Sequence, residues 1–79
     1  MKTYILVGET AVNHFLQNDF QELETAIDVI TGDIISFDKE TESITTLLDM
    51  LRGWNDFIEL SANDIQEIKQ NTNIEFDQN

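Results

Sequence analysis

The sequence predicts an α+β fold: a small, mostly antiparallel sheet of three or four strands with two or three helices on one face. Three observations carry that expectation. Lys2–Val7 is a run of mostly β-branched, aliphatic and aromatic residues ending at Gly8, as a buried strand would be. Ile44, Leu47, Leu48 and Leu51 recur at helical spacing. Asp56-Phe57-Ile58-Glu59-Leu60 reads as a strand with one wet face, and Ser61 with Asp64 then forms a short capping box.

After the first strand, Thr10 is placed to cap a short helix whose apolar face is Ala11, Val12, Phe15 and Leu16. Residues 19–31 read two ways. Phe20, Leu23, Ile27 and Ile30 have helical spacing, and Asp19 with Glu22 resembles a capping box. Against this, Thr25–Thr31 is rich in β-branched residues, and Thr31-Gly32-Asp33 reads as a turn into Ile34–Phe37. The hairpin is preferred; on the helical alternative the sheet shrinks to three strands.

The next helix is expected to start at Asp38, with Glu40 and Glu42 in its first turn and Arg52 in its last. Gly53 then supplies the left-handed C-terminal position and Trp54 folds back on the leucine stripe. Leu47, Leu48 and Leu51 are therefore expected among the most buried residues. In the last helix, Leu60 and Ile65 have hydrophobic-staple spacing, Ile68 continues the face and Asn71 ends it. The expected order is β-α-β-β-α-β-α. The ferredoxin-like order β-α-β-β-α-β plus a C-terminal helix is one such arrangement. Residues 1–79 read as a single domain, with 72–79 expected to fray or to add a short edge strand.

Sixteen carboxylates oppose four basic side chains, for a formal charge of −12. That balance disfavours direct contact with nucleic acid or an anionic membrane, and it favours a basic protein partner or none at all. A hydrophobic content of 41% is too high for a disordered acidic chain. With no cysteine there is no disulfide framework and no thiolate metal site, and no cofactor is expected. A core this small gains from self-association, which makes a homodimer an option. The apolar run Tyr4–Val7 is too short for a signal-peptide core, so a cytoplasmic protein is expected.

Candidate chemistry is sparse. Asp38, Glu40 and Glu42 are spaced like the first calcium-loop ligands, but Ser43 and Asp49 stand where glycine and a bidentate glutamate are needed, so a helix cap is the better reading. His14 is the single imidazole, and Glu9 and Asn18 beside it make no ligand spacing. Gly8-Glu9-Thr10 lacks the glycines and the lysine of a phosphate loop. Nothing selects one carboxylate pair for glycosidase-type work, and an enzyme is not expected.

Trp54 is a candidate interface anchor, while Tyr4 belongs in the core. The dispersed acids read first as a solubilising surface with no specific target; the sharper alternative is a surface that imitates nucleic-acid phosphates, with Glu42, Asp49, Asp64 and Glu67 as the residues to test. The expected function is thus a small, acidic, non-catalytic binding or regulatory protein. The alternatives are a nucleic-acid-mimicking inhibitor of a basic DNA- or RNA-binding protein, and a structural subunit of a homo-oligomer. A mimic needs its carboxylates on one face; a binding module shows an apolar patch amid scattered charge.

Overall fold

The computed structural model describes residues 2–76 and has the α+β architecture. Its elements are β1 (Lys2–Val7), α1 (Glu9–Leu16), α2 (Phe20–Asp28), β2 (Asp33–Asp38), α3 (Ile44–Leu51), β3 (Phe57–Leu60) and α4 (Ala62–Asn71). The sheet has three strands in the order β2-β1-β3, both outer strands antiparallel to β1. β2 and β3 are therefore parallel to each other, and β2-α3-β3 is a crossover with β1 between its strands.

Register sorts the strand residues onto two faces, because successive side chains alternate. Leu6 lies opposite Ile34 and Ile58, and Tyr4 opposite Ser36 and Leu60. This first face meets α1, α2 and α4 in one core, in which Leu6, Ala11, Val12, Phe15, Leu23, Ala26, Leu60 and Ile68 are buried. The second face carries Ile5 opposite Ile35 and Glu59, and Val7 opposite Asp33 and Phe57. Being lined on both sides, β1 needs no polar alternation, so a continuous apolar run marks it in the sequence.

The hairpin expected over 25–37 is corrected: residues 20–28 are helical, and β2 pairs with β1. Asp19 caps α2 by accepting from the Glu22 backbone N–H, and the face is Phe20, Leu23, Ala26 and Ile27. The Thr25 hydroxyl donates back to the Gln21 carbonyl at 3.1 Å, which accommodates a β-branched residue in a helix. The helix ends in a Schellman motif. Ile30 N–H bonds the Ile27 carbonyl, Thr31 N–H bonds the Ala26 carbonyl, and Ile30 itself holds φ at +61°.

That position usually takes glycine, and here the nearest glycine is two residues further on. A left-handed conformation costs a side-chain-bearing residue about 1–2 kcal/mol. Ile30 is 79% exposed, so it recovers little of this by burial. Ile30→Gly is expected to stabilise the protein by about 0.5–1 kcal/mol after the greater chain entropy of glycine is subtracted. Its melting temperature should rise by roughly 2–8 °C. A fall in melting temperature would show that the helix does not end this way.

α1 opens at Glu9 directly after Gly8, so Thr10 lies inside its first turn and does not cap it. The start of α3 is also corrected. Asp38 ends β2, and its carboxylate accepts from the Glu40 N–H while its carbonyl accepts from the Thr41 and Glu42 N–H groups. These bonds close a turn upstream of the helix, and Ser43 becomes the cap by accepting from the Thr46 N–H at 3.2 Å. After α3, Leu51–Trp54 form a type II turn in which Gly53 adopts φ +93° and Trp54 N–H reaches the Leu51 carbonyl.

α4 follows its expected signals closely. Ser61 and Asp64 form the reciprocal capping box at 3.1 and 3.0 Å, Leu60 and Ile65 both meet the core, and Ile68 is fully buried. Residues 72–76 continue without regular structure. Ile74 packs on the core, Phe76 stands edge-on to Tyr4 at 5.2 Å, and Asn73 N–H donates to Glu24. The remainder of the segment expected to fray, 77–79, lies outside the described residues.

Candidate functional site

The leucine stripe was expected to be the best-buried face, and this is corrected: no residue of α3 is buried. Leu47, Met50 and Leu51 are half-buried, whereas Ile44 is 66% and Leu48 60% exposed. At about 100° per residue these five side chains cover an arc of about 160°, with Met50 at one margin and Ile44 and Leu48 at the other. An arc that wide is more than one neighbouring surface can cover.

The second sheet face is also apolar. Ile5, Val7 and Phe37 are all buried there, yet none belongs to the core formed by α1, α2 and α4. The segment 39–56, between β2 and β3, contains α3 and the half-buried Trp54. α3 thus has its Met50–Leu47–Leu51 side partly withdrawn from solvent, and its Ile44–Leu48 side remains in water. Phe57 shares the second face by register and is 51% exposed.

Leu16, Val29 and Ile30 are also exposed apolar residues. Leu16 ends α1 by itself, and Val29 and Ile30 are consecutive residues at a helix end. Ile44 and Leu48 differ from them in standing one turn apart on a regular helix, as a ridge of fixed direction.

The structure does not bring the four selected acids together. Asp49 is on α3, paired with Arg52 at 3.1 Å, and Glu42 lies in the preceding turn, where its carboxylate accepts from the Asp38 N–H. It is thus not on the polar side of that helix, where the spacing had placed it. Asp64 is held in the α4 capping box, and the Glu67 carboxylate lies 3.5 Å from the Asn63 amide. Asp64 and Glu67 belong to α4, which packs on the first face of the sheet, whereas Glu42 and Asp49 belong to the segment between β2 and β3. Carboxylates occur on or beside every element, from Glu9 and Glu22 to Asp33 and Glu59.

His14 has its Nδ1 3.8 Å from the Asp19 carboxylate, too far for a hydrogen bond, and that atom is buried without a hydrogen-bond partner. Asp19 is the α2 cap, so the nearest acid already serves the backbone. Among the described residues, no three potential ligands converge on a metal position, no pocket opens, and no helix is long and apolar enough to cross a membrane.

Sequence reasoning named Trp54 and missed the exposed ridge before it. Ile44 and Leu48 belong to the same periodic stripe as Leu47 and Leu51, and periodicity does not say which margin of a stripe a neighbour will reach. No protein-family model, curated protein or solved structure matches this chain.

Proposed function

We propose that this chain is a small, non-catalytic protein-binding module that docks its partner on the exposed flank of α3. The observation that supports this most is the pair Ile44 and Leu48, more than half exposed and one turn apart on a helix whose other large apolar residues, Leu47, Met50 and Leu51, are half-buried. Water contact with large aliphatic side chains is unfavourable by about 25 cal/mol per Å², so an ordered ridge of this kind gains from being covered. The scatter of carboxylates over both sides of the sheet fits a soluble binding module better than a phosphate mimic, which needs one continuous negative face. The high negative charge accords with a protein partner and not with nucleic acid or an anionic membrane. A chain without cysteine suits a reducing compartment, and we place the encounter in the cytoplasm.

The test is affinity capture from source-cell lysate with three immobilised proteins: the native chain, an Ile44→Ser/Leu48→Ser variant and a Glu67→Lys variant. All three should give native-like circular dichroism, since exposed substitutions seldom cost more than about 0.5 kcal/mol. Proteins retained by the native chain and by Glu67→Lys, but lost from the double serine variant, are the expected result. The same proteins on all three would overturn docking on α3. Loss with Glu67→Lys and retention by the serine variant would favour nucleic-acid mimicry instead.

A further inference from the structure

We infer that the occupant of the α3 flank is an amphipathic helix with basic margins, supplied by another protein. This rests on the docking reading above and names the partner's chemistry. Two observations point to it. The first is shape. Ile44 and Leu48 form an i, i+4 ridge, the row of side chains that fits the groove between corresponding rows of a second helix. A partner helix with apolar residues at helical spacing can lie along such a ridge.

The second observation is charge. Between residues 38 and 59, six carboxylates (Asp38, Glu40, Glu42, Asp49, Asp56 and Glu59) accompany two basic side chains, Lys39 and Arg52. Arg52 is already engaged by Asp49 at 3.1 Å, so its charge is partly offset within the surface. Lysines or arginines flanking the apolar stripe of a partner would meet Glu42 and Asp49, the acids that adjoin Ile44 and Leu48 in the chain, where charge sets orientation and association rate. A second copy of this chain would bring the same acidic surround to the contact. Like charges facing each other across an interface are unfavourable within a Debye length of about 8 Å at physiological salt. The charge balance therefore selects a basic partner over self-association.

The probes are three synthetic peptides titrated into the native protein by calorimetry. One is a leucine/lysine peptide with leucines at helical spacing. The second keeps those leucines and replaces lysine by glutamate, and the third scrambles the first. The expected result is binding of the first peptide alone, with each of Ile44→Ser and Leu48→Ser weakening it about tenfold through loss of an apolar anchor. Raising the salt concentration should lower the association rate.

Equal binding of the scrambled peptide, unaffected by the serine changes, would reduce the effect to diffuse charge attraction and overturn the inference. Equal binding of the glutamate peptide, still lost in the serine variants, would overturn the basic character of the partner while leaving the docking flank standing. Absence of binding by all three peptides would overturn the helical occupant, and the lysate capture would then decide the flank separately. A dimer in sedimentation that Leu48→Ser dissolves would make a second copy the occupant and overturn the inference.

Discussion

Gly8→Ala is expected to remove a large part of the stability of this protein. Gly8 holds φ at +103° and ψ at 127°, a combination open to glycine and strained for any L side chain. An added Cβ would lie 2.5 Å from the Thr31 carbonyl oxygen and 2.8 Å from the Gly32 Cα, both backbone atoms that cannot rotate away. The Gly8 N–H also donates to the Asp56 carbonyl at 2.9 Å. One residue thus joins the β1–α1, α2–β2 and α3–β3 connections, and displacing it disturbs all three. Backbone strain of about 1–3 kcal/mol adds to an overpacking cost of about 1–3 kcal/mol. Domains of this kind have about 5–15 kcal/mol in total. Thermal unfolding should shift down by well over 10 °C or lose its cooperativity. Gly53→Ala is the internal control: its φ is also positive, +93°, but its Cβ would meet nothing within 4 Å. It should cost only about 1–2 kcal/mol. Equal melting of the two variants would mean that the three connections do not converge on Gly8.

Leu6→Ala should cost about 2–5 kcal/mol, the usual range for truncating a fully buried leucine. Leu6 sits on the central strand with Ile34 and Ile58 opposite, so a cavity there is enclosed on both sides and has little room to collapse. Leu48→Ala, by contrast, should change stability by no more than about 0.5 kcal/mol, because Leu48 is 60% exposed. The contrast can be read from urea midpoints measured side by side. A large loss at Leu48 would mean that α3 turns its Ile44–Leu48 flank inward, and the proposed docking surface would go with it.

Several elements were legible because a short stretch of chain carried its own reason. The strand Lys2–Val7 announced itself as an apolar run, and α4 through a cap, a staple and a buried isoleucine within eight residues of one another. α2 was harder, since its helical spacing competed with β-branched residues. Its stop is an isoleucine in a left-handed conformation, which the glycine beyond it disguised. The turn after β2 was also misplaced. Asp38 is a good cap residue, and only the bonds it receives from Glu40, Thr41 and Glu42 show that it closes a turn instead.

The candidate site divides in the same way. The sequence by itself determined that α3 would be a helix with a broad apolar arc, and that the chain would be strongly acidic. Both are local sums over residue type and spacing. It did not determine that Met50, Leu47 and Leu51 would be partly covered while Ile44 and Leu48 stayed in water. Nor did it determine that Glu42 would close a turn ahead of α3 instead of standing on its polar side. Those outcomes depend on which surface comes to lie against each helix, and on the bonds that close the turn between β2 and α3. Helical periodicity gives the direction of side chains about their own axis; burial belongs to the neighbour, and only the tertiary structure supplies the neighbour.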